Sequence, residues 1–393
     1  MPLPIVALFI AAFAFGTTEF VIAGVLPQVA DGLGVSIPTA GYLVSGYAIG
    51  IAVGGPLCTI VTAGISRKAL LIGLAVVFTA GQIACALAPG FASMLLVRVA
   101  VAVAHGTFFG VAMVVAVGLV AEEKRGMAVA FVLAGLTVSN IIGVPAGAAI
   151  GDQFGWRATF WAMFGLGLVA LLAIVALIPA TAGARSAVAG LRREVGVLGR
   201  QQVWTSAILM LLLMIGQYVP FTFIAPMLRE VTGLDATTIP LVLLVNGVGA
   251  TTGVFIGGRL AALRRHMAVM IAMMVGQAAV LALFYAVSPH PGPAVAVILI
   301  WGCLNFAIGT LVQTRILTWA ADAPNLASSL VPAGFNVGIA LASSLGAMML
   351  NAGIGYRSLP LLGVGALLVA AVVAAGSLAL ERRSGATLPA AAS

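Results

Sequence analysis

Residues 93–120 read SMLLVRVAVAVAHGTFFGVAMVVAVGLV, an apolar run broken only by the charge of Arg98 and the imidazole of His105. A helix needs about 20 apolar residues to cross the hydrocarbon core of a bilayer, and this stretch exceeds that length. A helix apolar on every face belongs in a membrane or at the centre of a large core. Outward from it the pattern recurs. Similar segments lie at 5–29, 39–62, 69–88, 127–151 and 158–179, and again at 203–228, 238–262, 267–288, 294–320, 326–352 and 358–380. Twelve such spans use about 240 residues, and the chain has 393.

Composition supports the same solvent. Charged residues are 7% of the chain and hydrophobic residues 62%, where ordinary globular chains carry about 25% charge. Mean hydropathy is +1.21. So few charges could not cover a soluble surface, and a disordered chain would lack this density of Val, Leu and Ala. The fold class expected is all-α integral membrane, with 12 transmembrane helices in two six-helix bundles. Residues 180–202 are more polar and hold Arg185, Arg192, Arg193, Glu194 and Arg200. They read as a linker between an N-terminal bundle at 1–179 and a C-terminal bundle at 203–381, with a tail at 382–393. Leu191, Val195 and Leu198 predict a short surface helix in that linker.

Net charge is +8, a sign that can mark nucleic-acid binding. Its distribution points elsewhere. With the N-terminus inside, the cytoplasmic loops, linker and tail hold Arg67, Lys68, Lys124, Arg125, Arg185, Arg192, Arg193, Arg200, Arg264, Arg265, Arg382 and Arg383; external loops hold Arg157, Arg229 and Arg357. That bias is the positive-inside pattern, so both termini are expected in the cytoplasm and no nucleic-acid partner is expected. The three cysteines, Cys58, Cys85 and Cys303, all sit in apolar runs and offer neither a disulfide framework nor metal-ligand spacing. The first apolar stretch lacks a basic n-region and reads as a retained span.

The two sets of spans repeat each other. Gly46, Gly50 and Gly54 are echoed by Gly249, Gly253 and Gly257, Gly81-Gln82 by Gly276-Gln277, and Gly106-Thr107 by Gly309-Thr310. Ala134-Gly135 and Gly155-Trp156-Arg157 recur as Ala333-Gly334 and Gly355-Tyr356-Arg357. The matches keep their order at an offset of roughly 200 residues. Duplicated six-span halves are a recurrent plan of secondary transporters. The glycine triples read first as close helix packing, since residues four apart share one face.

Energy sources and enzymatic chemistry are narrowed by what is missing. Neither lysine, Lys68 or Lys124, follows a glycine, so there is no phosphate-binding loop. The histidines, His105, His266 and His290, are far apart, and no HExxH or GxSxG occurs. No enzymatic activity, cofactor or metal is expected.

The informative residues are ionisable groups inside spans, each costing about 2.5–3.5 kcal/mol at a helix centre. Glu19, in Gly16-Thr17-Thr18-Glu19-Phe20, is the one acid well inside a span. A carboxyl that ionises when it faces water and takes a proton when occluded can couple proton movement to a transport cycle. Arg98 keeps its charge and needs a polar cavity or a partner. His105 lies two turns further along the same face, placed to relay a proton or bind substrate. Glu19 and His105 are the residues expected to handle a proton, while Arg315, nearer a span end, reads as snorkelling. Tyr47, Asn140, Gln217, Tyr218, Asn246, Trp301, Asn305 and Asn336 are expected to line a substrate cavity, Trp301 occupying the repeat position of Arg98.

These residues carry a family resemblance over nearly the whole chain. Gly16 to Gly24 resembles the G-x-x-E-F segment, and Arg98 through Gly110 the R-x-x-x-x-x-x-G segment, of twelve-span drug:proton antiporters of the major facilitator superfamily. Within these, the chain is similar to the branch of arabinose-efflux permeases and chloramphenicol exporters. Gly155-Trp156-Arg157 followed by Phe160-Trp161 is similar to that family's W-R-x-x-F signature. In the loop between the second and third spans the family carries G-x-L-a-D-R-x-G-R-R. Here Arg67-Lys68 remain and no acid occurs between Asp31 and Glu122. Its G-P-x-x-G-G motif of the fifth span is loosened to Gly143-Val144-Pro145-Ala146-Gly147. The resemblance implies a monomer in a bacterial cytoplasmic membrane that exports a small amphipathic, chloramphenicol-type compound in exchange for protons. It also implies that Arg98 joins Glu19 and His105 in proton coupling, and it implies alternating access, with Gly143, Pro145, Gly147, Arg67 and Lys68 as the conformational motif. A sugar or metabolite exporter, or an uncoupled facilitator, is the alternative of the same fold.

Overall fold

The computed structural model describes residues 2–180, 199–263, 265–320 and 324–384; side chains are described within these except at 324–330, 383 and 384. Among the described residues the chain is helical, without strands. Twelve helices among the described residues are long and apolar enough to span a bilayer: Leu3–Gly24, Ile37–Val61, Arg67–Ala86, Phe91–Gly118, Glu122–Phe154, Trp156–Leu177, Gln201–Thr222, Ala236–Ala261, His266–Val287, Pro291–Trp319, Val331–Asn351 and Tyr356–Arg382. Each expected span is present, with its ends shifted by a few residues. The linker helix expected at Leu191, Val195 and Leu198, and the tail beyond residue 384, lie outside the described residues.

The first and seventh spans end sooner than their apolar runs suggest. The first stops at Gly24, with Val25 at φ −114° and ψ 13°, before a short helix Leu26–Gly32. The seventh stops at Thr222, with Phe223 at φ −107° and ψ 24°, before Ile224–Glu230. Pro27 and Pro226 account for both breaks. Each lacks an N–H, and its ring would clash with the carbonyl four residues back, on Ala23 and Thr222. Proline also shapes the second and fifth spans. Ahead of Pro56 and Pro145 the backbone widens into single π turns, Gly50–Gly54 and Ser139–Gly143, closed by Gly55 N–H to Gly50 O and Val144 N–H to Ser139 O. The wider turn accommodates the hydrogen bond that proline cannot make.

Contacts divide the chain into two compact units: the described part of Met1–Val188 with Asp235–Leu244, and the described part of Ala189–Leu234 with Val245–Ser393. In the first unit, the first span packs on the fifth and sixth, the third on the fourth and sixth, and the second on the fourth. In the second unit, the seventh packs on the eleventh and twelfth, and the ninth on the tenth and twelfth. The sequence repeat is therefore a repeat of helix pairing. Its glycines show why. Gly50 of the first triple and the adjoining Gly55 sit against the backbone of Val99 and Gly106 on the fourth span, and Gly249, Gly253 and Gly257 against the carbonyls of Leu299, Cys303 and Ala307 on the tenth. A Cβ at any of these would displace a backbone that has nowhere to go. The Gly-aromatic-Arg repeat is also structural. Arg157 stacks on Trp156 and donates to Ala88 O, while Arg357 stacks on Tyr285 and donates to Tyr285 O. Both cations thus sit at the C-terminal end of a helix, where carbonyls lack partners.

Candidate functional site

The first span is the most enclosed helix of the first unit, so nearly every face of it meets protein. Glu19 is buried there, and its Oε2 lies 3.8 Å from Nε2 of His105 on the fourth span. Its other oxygen, Oε1, has no hydrogen-bond partner. Nδ1 of His105 lies 3.0 Å from the Tyr47 hydroxyl of the second span. The π turn and glycine seam bring that helix close to the fourth. Glu19, His105 and Tyr47 thus form a line of three polar groups drawn from three spans.

Arg98, also on the fourth span, is 1% exposed. Its guanidinium lies over the Tyr47 ring at 4.6 Å. Nε donates to Leu43 O at 3.3 Å and Nη1 to Thr18 O at 3.5 Å, while Nη2 has no partner. Arg98 therefore meets the first span through the carbonyl preceding Glu19. Among the described residues it makes no ion pair with the carboxylate. Phenylalanine rings close the surroundings: Phe15 at 5.2 Å and Phe109 at 5.1 Å from the imidazole, with Phe78 tilted against Phe15 and Phe108 stacked on it. Within that shell a carboxyl is costly as an anion and cheap as an acid. This is the chemistry needed to hold and release a proton.

The second unit places different chemistry at the repeat positions. Trp301 replaces Arg98, is fully buried, and packs on Phe284 at 5.5 Å and Phe221 at 6.3 Å. Tyr218 continues the aromatic row to Phe335. Trp301 Nε1, Gln217 Oε1, Asn305 Oδ1 and Asn336 Oδ1 are buried without hydrogen-bond partners. Asn246 uses its amide to bind Ile298 O, and Asn336 its own to bind Pro332 O. Residues 8–325 match the family model described as Major Facilitator Superfamily. The chain belongs to the major facilitator superfamily.

Relatives agree. The chain is 36% identical over 361 residues to the inner membrane transport protein YdhP of Escherichia coli K12, covering 92% of each chain. It is 35% identical over 345 residues to a chloramphenicol resistance protein of Streptomyces lividans, covering 86% of this chain and 87% of that one. Two solved structures share the fold. A bacterial homologue of the human lysosomal transporter Spinster, inward-facing and occupied, has TM-score 0.76 at 17% identity and covers 95% of this chain and 96% of that one. A D-xylose–proton symporter has TM-score 0.72 at 15% identity, with 93% and 96% covered. The protein is a multi-pass membrane transporter of the major facilitator type.

The remaining expected positions surround this framework. Gly143 and Gly147 of the fifth span lie against Thr17 and Val21, one on either side of Glu19 along the first span. Pro145 follows the π turn, in which Asn140 donates to Leu136 O of its own helix. Arg67 opens the third span, and Lys68 donates to Val175 O near the C-terminal end of the sixth at 2.9 Å. Lys68 thus caps a helix end in place of any contact with the missing acid.

Arg315 corrects the snorkelling expectation. It is buried, donates to Ser206 and Ser377 at 2.9 and 3.0 Å, touches Met267 Sδ, and pairs with Glu381. Glu381 lies one residue beyond the expected end of the twelfth span, which is why the pairing was not legible. Its signal was Ser377 one turn earlier, which donates to Glu381 Oε1. Gln82 and Gln277, at repeat positions, are also buried, with both amide atoms unpartnered.

Proposed function

We propose that the protein is a proton-coupled exporter of a small, uncharged amphipathic compound of the chloramphenicol type, working by alternating access in a bacterial cytoplasmic membrane with both termini inside. The observation that carries this reading is the buried Glu19, held beside His105 and Arg98 and keeping one carboxylate oxygen unpartnered. In this cycle Glu19 takes up an external proton, crosses as the neutral acid, and becomes an anion again when the proton is released inside. Arg98 supplies a fixed positive field near it, through Tyr47 and the Thr18 carbonyl. The substrate class follows from charge. Glu19 is the one acid in the middle of a described span, so a dication would find no second counter-ion. The second unit offers amides and aromatic rings, which suit a ring-bearing solute with hydrogen-bonding groups. The likeness to a chloramphenicol resistance protein supports the same class.

The test is proton flux in proteoliposomes under an imposed pH gradient, with chloramphenicol, a cationic dye and a pentose added in turn. Chloramphenicol should release protons from wild type and not from Glu19→Gln; Arg98→Ala should lose the same response. Equal flux in wild type and Glu19→Gln would refute the role of Glu19. Pentose equilibration without proton movement would replace the exporter reading by a facilitator.

A further inference from the structure

The line Glu19–His105–Tyr47 has a direction, set by its hydrogens. Tyr47 Oη is bonded to His105 Nδ1. If Nδ1 carried the proton, the phenol O–H of Tyr47, a residue 1% exposed, would have no other acceptor among the described residues. If the phenol donates instead, both groups are satisfied and the imidazole proton must sit on Nε2. Nε2 is the atom that faces Glu19 Oε2. We propose that Tyr47 is a positioning residue of the proton site: it locks neutral His105 in the Nε2–H tautomer, which aims one donor at Glu19. This rests on the reading of Glu19 as the proton site, and it moves Tyr47 out of the substrate-lining set.

The geometry around the pair supports a neutral ring. The titratable groups near His105 are Glu19 from the first span, Tyr47 from the second, Arg98 on its own helix, and Cys85 from the third, which is near enough to interact electrostatically with Arg98 and Tyr47. The fifth span, also packed on the fourth, has no titratable group between Arg125 and Asp152. The cation of Arg98 is parked on the tyrosine face. Tyr47 is thus held from two sides, its ring by Arg98 and its hydroxyl by His105. At 3.8 Å the Nε2–H is close to Glu19 but not committed to it. A small approach completes a bond to the ionised carboxylate, and a neutral acid releases it. The tautomer lock makes His105 a sensor of the charge on Glu19 while moving no proton itself.

The chain has 3 histidines, so nitrogen-15 histidine labelling of protein in lipid bilayers gives a tractable spectrum, with His105 assigned by its loss in His105→Gln. At neutral pH, wild type should show His105 as the Nε2–H tautomer. Tyr47→Phe keeps the ring beneath Arg98, and there the tautomers should mix. The acid form of Glu19 is followed by the infrared carboxyl band that Glu19→Gln removes. Losing the aimed donor disfavours the ionised form, so protonation persists to higher pH. The midpoint should rise by about one pH unit in Tyr47→Phe, a tenfold change in proton affinity. Glutamine at 105 carries its amide N–H₂ near the Nε2 position and needs no lock, so Tyr47→Phe should add no shift in His105→Gln. An Nδ1–H or cationic ring in wild type would overturn the proposal. So would a tautomer unchanged in Tyr47→Phe, or a shift that survives in His105→Gln. Proton exchange persisting in Glu19→Gln would instead refute the reading of Glu19 as the transport proton site, leaving the tautomer result to stand by itself.

Discussion

Replacing Glu381 by alanine tests how the second unit carries the fully enclosed cation of Arg315. The Arg315 side chain is 0% exposed and that of Glu381 11%. Without the carboxylate, Arg315 keeps two hydroxyls, of Ser206 and Ser377, and the Met267 thioether. These are neutral and cannot balance its charge. An uncompensated buried charge costs about 3–5 kcal/mol. Arg315→Met is the opposite cut. It leaves the partly exposed acid, which can hydrate or take a proton, so the loss is of hydrogen bonds alone, about 1–2 kcal/mol. Arg315→Met with Glu381→Leu removes both charges and should recover most of the stability. Thermal unfolding in lipid nanodiscs should rank Glu381→Ala lowest, then Arg315→Met, with the double variant nearest wild type. If Arg315→Met is as damaging as Glu381→Ala, or the double variant is worse than either, helix registration and not charge burial sets the cost.

Three further outcomes follow from the packing. Gly253→Ala drives a Cβ into the Cys303 carbonyl and should lower stability by about 1–3 kcal/mol, while Gly258→Ala, with nothing within 4 Å, should be neutral or slightly stabilising in the same melt. Trp301→Phe keeps the ring contacts with Phe221 and Phe284 and removes the unpartnered Nε1; chloramphenicol binding should weaken about tenfold with unfolding unchanged. Lys68→Ala uncaps the sixth span and should cost about 0.3–1 kcal/mol in thermal unfolding.

The spans were legible because a bilayer imposes a length, and length survives any error in helix orientation. Glu19 and Arg98 stood out for a related reason: a charge is expensive there, so its presence in an apolar run is a signal by itself. Pairings were harder. That Tyr47 meets His105 depends on how the second and fourth helices are rotated, and the π turn ahead of Pro56 alters that rotation by a residue no periodicity reveals. Pro56, Pro145, Pro27 and Pro226 were the visible marks of the two π turns and the two breaks. Arg315 was misread because its partner lay one residue past an expected boundary.

The Arg315–Glu381 pair has a consequence for biosynthesis. Its members are 66 residues apart, and the acid comes second. At the roughly 5–20 residues per second of translation, the tenth helix exists for about 3–13 s before its counter-ion has been polymerised. Throughout that interval the nascent chain holds an arginine with nothing to neutralise it. Completion of the twelfth helix ends that state, so a ribosome that stalls or terminates early releases a product marked by an exposed cost, one that quality-control proteases act on through local unfolding.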